Sequence, residues 1–237
     1  MKLNTVVLIV LVLPRFSYLV TSMALIDKLN ISDVHDSWKT QQFYDILKQT
    51  ISKIKDPVEI ITPSVVSILR AFRMDKYSIK VVILGQDPYP AKGIANGLSF
   101  SSFGKNIPAS LRVIFAEINR TEDIKKDSAD LSDWESQGVF LLNCALTTVI
   151  GKSNVHANIW KNFTDYIISE ISKCLETKVV YMLWGNFAKG KESLIVKRPN
   201  VKILTFSHPS PLISNKLGFK CNHFKEANEF LDTPIKW

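Results

Sequence analysis

Lys80-Val81-Val82-Ile83-Leu84-Gly85-Gln86-Asp87-Pro88-Tyr89 is an apolar run that stops at a glycine, an amide, an acid and a proline. A short β-branched run closed by turn-forming residues reads as a strand buried on both faces of a sheet. Three further runs repeat the pattern. Val139-Phe140-Leu141-Leu142 ends at Asn143, and Val179-Val180-Tyr181-Met182-Leu183-Trp184 ends at Gly185-Asn186. Val201-Lys202-Ile203-Leu204-Thr205-Phe206 leads into His208-Pro209-Ser210-Pro211-Leu212. In an open parallel sheet the carboxyl ends of the strands share one crevice, where ligands bind. A carboxylate, an amide and an imidazole far apart in the chain therefore converge on one pocket.

Between the runs the period changes to that of helices. Trp38, Phe43 and Leu47 form one apolar face. Thr62-Pro63-Ser64 opens a second expected helix, with Thr62 as cap and Val65, Ile68, Leu69 and Phe72 inward. Ser110–Ile118 reads as a helix, and the charged stretch Arg120–Asp133 as a solvated loop or helix edge. A long helix follows from about Asn158 to Leu175, then helices near Phe187–Ile195 and His223–Leu231. Strands alternating with helices predict an α/β fold: one domain, with a central four-stranded parallel twisted sheet and helices on both faces.

The 237 residues, 46% of them hydrophobic, suffice for one well-buried domain. A net charge of +8 suits a polyanion such as nucleic acid, but fits a merely basic soluble protein equally well. Cys144, Cys174 and Cys221 are odd in number and lack a CxxC spacing, which argues against a disulfide framework or a zinc site. No metal and no cofactor are implied.

Residues 1–31 differ from the rest, and the globular domain is expected over 32–237. Val6–Leu13 is an apolar run well short of the ~20 residues that span a bilayer. Three readings stay open for this extension: a signal-peptide core, a transit segment directing the chain to a mitochondrion, or a tract upstream of a true start at Met23.

Five motifs now stand in register: Gly85-Gln86-Asp87-Pro88-Tyr89, Gly97-Leu98-Ser99-Phe100-Ser101, Leu141-Leu142-Asn143, Leu183-Trp184-Gly185 and His208-Pro209-Ser210-Pro211-Leu212. Together they resemble the signature set of family 1 uracil-DNA glycosylases, over roughly 200 residues from Ser37-Trp38-Lys39 to Pro234-Ile235-Lys236-Trp237. The resemblance implies a monomeric, metal-free enzyme that flips uracil out of single- or double-stranded DNA and hydrolyses its N-glycosidic bond. It implies work in the nucleus or another DNA-containing compartment. Uracil-mimicking protein inhibitors and replication proteins are the expected partners.

By the same resemblance Asp87 orients the attacking water and steadies the cationic sugar, while neutral His208 donates to uracil O2. Asn143 reads the base edge, Tyr89 excludes a 5-methyl group, Phe100 stacks on the flipped base, and Gln86 contributes backbone contacts. Ser110, Gly185, Asn186, Ser210 and Lys216 are expected at the DNA backbone, and Leu212 as the wedge that enters the vacated stack. Each has an ordinary structural alternative: Asp87 a turn cap, Asn143 a strand-ending turn residue, Phe100 core packing, Lys216 a surface lysine. Three positions depart from the family pattern. Pro90 stands where a histidine is usual, Ile213 where a serine is usual, and the loop Ile107-Pro108-Ala109-Ser110 is poorer in proline. A rival of another class is a DNA-binding replication scaffold of the same fold. Retention of Asp87, Asn143 and His208 argues against it.

Overall fold

A computed structural model of the chain describes residues 25–210 and 218–237. In chain order its strands are β1 (Ile61–Thr62), β2 (Val81–Gly85), β3 (Val139–Asn143), β4 (Thr148–Val149), β5 (Val179–Trp184) and β6 (Val201–Phe206). Its helices are α1 (Gln41–Ile51), α2 (Ala109–Glu122), α3 (Ser132–Glu135), α4 (Ala157–Cys174), α5 (Gly185–Lys189) and α6 (His223–Phe230). The four expected strands form one parallel sheet in the order β3-β2-β5-β6. β1 and β4 make a separate antiparallel pair. The chain thus starts in the middle of the sheet, steps out to β3, and returns to the other side through β5. The switch point lies between β2 and β5, where α/β sheets bind ligands.

Alternation along the strands sorts side chains onto two faces. Val82 pairs with Phe140 and Tyr181, so these three share one face. There Phe140 packs with Trp38 and Phe72, and Phe72 meets Phe43 of α1 and Phe163 of α4, all at ring separations of 5.4–5.8 Å. Trp184, three residues past Tyr181, lies on the opposite face. It contacts Phe219 and Phe224, and Phe224 in turn touches Trp134 and Trp237. Each aromatic cluster roofs one face of the sheet with helices, the layered arrangement that the unbroken apolar strands require.

Some elements differ from expectation. The helix expected after Thr62 is replaced by two 3₁₀ turns, Val65–Ser67 and Arg70–Arg73, and Thr62 instead ends β1 opposite Thr148. Ile68, Leu69 and Phe72 are buried as expected. Two causes tighten the segment: β-branched Val65, Val66 and Ile68 are poor helix formers, and Gly97 packs so close that a Cβ there would lie 2.0 Å from the Ser67 carbonyl oxygen. Trp38 sits in its own 3₁₀ turn, ahead of the Thr40 cap that accepts from the Phe43 N–H at 3.2 Å and starts α1. The helix expected near Phe187–Ile195 is broken into α5 and a 3₁₀ turn at Glu192–Leu194. Within the segment set apart as 1–31, Leu25 and Leu29 are buried in the core.

Candidate active site

The site begins with a missing Cβ. Gly85 ends β2 beside Asn143 at the end of β3. A methyl group there would lie 2.3 Å from Asn143 Oδ1 and 2.8 Å from Ser99 Cβ. Glycine thus lets the Asn143 side chain lie across the end of β2. Two backbone bonds hold the segments together just past the strand ends: the Cys144 N–H donates to the Gly85 carbonyl at 3.0 Å, and the Ala145 N–H to the Gln86 carbonyl at 2.9 Å. Asn143 is buried, yet its side-chain amide bonds to none of the described residues. Asn143 lines a cavity, so an amide that bonds to none of the described residues is placed to meet a complementary ligand edge there.

A second glycine does the same for the imidazole. Gly185 follows β5 with φ +84°, a conformation that favours glycine. A Cβ there would meet His208 Cβ at 2.9 Å. His208 therefore packs directly against the start of α5.

Phe100 is held at φ +62°, rare for a bulky side chain and a sign of functional strain. The Tyr89 hydroxyl donates to the Phe100 carbonyl at 2.9 Å and fixes this geometry. The Phe100 ring sits edge-on to Trp184 at 5.6 Å and tilted beside His208 at 6.3 Å.

These groups enclose a cavity of about 200 Å³ lined by Gln86, Asp87, Tyr89, Phe100, Asn143 and His208, with Ser110 at its edge. Drug-sized ligands occupy ~300–1,000 Å³, so this volume suits one heterocycle. Gly185 and Asn186 line an adjoining cavity of about 140 Å³ on the far side of His208. Pro90 lines the first cavity where the resemblance led one to expect a histidine, and its carbonyl accepts from the Gly151 N–H at 2.9 Å. Ser210 is described but lines neither of these cavities; Leu212, Ile213 and Lys216 lie outside the described residues.

Electrostatically the site separates its two titratable groups. Burial raises the Asp87 carboxyl above its ordinary range, and a hydrogen bond from the Asn154 backbone N–H at 2.6 Å draws it back. Burial lowers the His208 pKa, so the imidazole is neutral at pH 7. Burial also pushes the Tyr89 phenol far above its usual value, leaving it a hydroxyl donor. Sequence reading missed Asn154, and Ser153, which lines the cavity. A backbone N–H has no signature in the amino-acid code, and nothing marked this loop.

Comparison with known proteins points to one family. A family model described as the uracil DNA glycosylase superfamily matches residues 72–232. A uracil-DNA glycosylase of Campylobacter concisus is 40% identical over 226 residues, covering 89% of this chain and 97% of that protein. One from Borrelia turicatae is 41% identical over 210 residues, covering 84% and 93%. Among solved structures, mimivirus uracil-DNA glycosylase superposes with a TM-score of 0.73 at 27% identity, covering 90% of this chain and 88% of that one. A variant of the mimivirus protein in complex with UGI gives 0.75 at 28% identity, covering 89% and 91%. A family model spanning most of the chain, curated relatives near 40% identity and a shared fold lead to one assignment: this chain belongs to the uracil-DNA glycosylase superfamily.

Proposed function

We propose that the chain excises uracil from DNA by hydrolysing the N-glycosidic bond, leaving an abasic site for base excision repair. The observation that carries this reading is the meeting of Asp87, Asn143 and His208 around a cavity sized for one base. Each group suits one demand of the reaction. As the bond between base and sugar breaks, its electron pair leaves with uracil and the sugar becomes cationic. Asp87 supplies negative charge near that cation and receives the proton of the incoming water. His208, neutral and able to donate, faces the charge building on uracil O2. Preorganised groups of this kind are often the largest single source of rate.

Selectivity follows from the amide. Asn143 offers an acceptor and a donor to uracil N3–H and O4, and cytosine presents the opposite pattern. Tyr89 fills the space of a 5-methyl group, and Phe100 provides the surface on which the base stacks. At the DNA backbone, Ser110 stands in the first turn of α2, whose free N–H groups favour an anion. Gly185 and Asn186 open α5 beside His208 and are assigned to phosphate contacts, with Ser210. Leu212 is assigned to the vacated stack and Lys216 to the phosphates, on the sequence resemblance alone. An inhibitor protein that imitates uracil would cover the mouth of this same cavity; a variant of the mimivirus enzyme has been solved in complex with UGI.

The test uses single- and double-stranded oligonucleotides carrying one uracil, with alkali to reveal abasic sites. Strand cleavage at the uracil is expected, and intact strands after incubation with folded protein overturn the reading. Asn143→Asp is expected to release cytosine as well; strict uracil selectivity in that variant removes Asn143 from its role.

A further inference from the structure

We propose that His156, clamped between Asp56 and Thr147, is a positioning residue that holds the Asn154 N–H against the catalytic carboxylate. The inference deepens the glycosylase reading and rests on its role for Asp87. The contact to be held is the 2.6 Å bond from the Asn154 N–H to Asp87 Oδ2. Asn154 has φ +65°, a strained conformation that the surrounding structure must impose.

Two anchors impose it. On one side, the Thr148 hydroxyl donates to the Lys152 carbonyl at 2.7 Å and accepts from the Val155 N–H at 3.3 Å. On the other, His156 stands at the N-cap of α4, two residues after Asn154, with only 1% of its surface exposed. Its carbonyl accepts from the Ile159 and Trp160 N–H groups at 3.0 and 3.1 Å. Its ring is bound at both nitrogens, Nδ1 to Thr147 Oγ1 at 2.9 Å and Nε2 to Asp56 Oδ2 at 3.0 Å.

Counting donors orders this chain. An indole N–H can only donate, and Trp160 Nε1 lies 2.6 Å from Thr147 Oγ1, so the threonine oxygen accepts there. The threonine hydrogen stays available to donate, and the Asp56 carboxylate can only accept, so in the neutral ring Nε2 donates to Asp56 and Nδ1 accepts from Thr147. The ring proton therefore sits on Nε2 and points at the Asp56 carboxylate. The result is a directed series from Trp160 through Thr147 and His156 to Asp56. Thr147 lies four residues after Asn143, so the series also ties the base-reading strand end to the loop that bonds Asp87.

The test pairs two disruptive variants, Asp56→Ala and Thr147→Val, with their conservative counterparts, Asp56→Asn and Thr147→Ser. On a uracil-containing single strand, the disruptive pair should lower kcat between about 10- and 100-fold, with KM within about twofold, the size of effect seen when a reacting group shifts by about 1 Å. The conservative pair, which keep an acceptor at 56 and a hydroxyl at 147, should recover most of kcat. In ¹⁵N NMR the wild-type His156 ring should carry its proton on Nε2, and the Asn154 amide should lose its hydrogen-exchange protection in the disruptive pair. Wild-type kinetics in both disruptive variants, or an unchanged Asn154 amide, overturns the proposal. If Thr147→Val does not fold, Asp56→Ala at a partly exposed carboxylate decides alone. Absence of uracil release by the wild type would sink the glycosylase reading, while the amide and ring signals would still decide whether the network holds the loop.

Discussion

Asp87 and His208 face one cavity from two loops, and burial drives both toward their neutral forms. For the imidazole that direction is the useful one, and no described residue opposes it. For the carboxylate it is the wrong one, and a single backbone N–H from Asn154 works against it. The contrast shows how one pocket can hold an anion and a neutral donor side by side. Burial is common to both groups, and one hydrogen bond separates their fates.

The sharpest way to break the contrast is to remove each member. Asp87→Asn and His208→Leu are each expected to lower kcat by about 10²–10³, while binding to uracil-containing DNA stays near the wild-type value in a gel-shift titration. In the wild type, kcat should fall as pH drops through the raised Asp87 pKa, and this acid limb should be absent from Asp87→Asn. A wild-type rate in either variant ends the assignment of that residue. A smaller effect is expected one position upstream of the loop. Gly85→Ala drives a methyl group into Asn143 Oδ1, and kcat/KM should fall by roughly 10² in a protein that still folds.

Another buried imidazole, His223, has no cavity role and weighs on stability instead. His223 accepts from Trp184 Nε1 at 3.0 Å, and burial pushes its pKa down to about 4. The unfolded chain binds this proton near pH 6.5 and the folded chain only near 4, so the protein loses stability as pH falls between those values. The loss attributable to His223 is on the order of 3 kcal/mol, and it levels off below pH 4. Urea unfolding of His223→Gln across this window should show a shallower decline than the wild type. An identical decline removes His223 as its source.

Much of this site was readable before any coordinates. Four runs gave the parallel sheet: three are buried on both faces and apolar throughout, and the fourth, the half-exposed edge strand β6, is mixed with Lys202 and Thr205. The residues that end those runs gave the carboxylate, the amide and the imidazole, because strand ends on one side of a sheet share a crevice. What escaped was of two kinds. The segment after Thr62 has an apolar spacing that suits a helix, yet the close approach of Gly97, about thirty residues later in the chain, compresses it into 3₁₀ turns. Local periodicity carries no information about such a distant neighbour. The Asn154 contact is made by main chain, and side-chain identity does not announce it.

The bond from the Tyr89 hydroxyl to the Phe100 carbonyl couples two properties that appear separate. In the proposed function one ring bars a 5-methyl group, and the other is the platform beneath the base. Enlarging the entrance by trimming Tyr89 also releases the strained backbone of Phe100, so tolerance for thymine arrives together with a looser floor and slower turnover. On those proposed roles, the substitution that widens the choice of base also slows the enzyme, which guards ordinary DNA against such a variant.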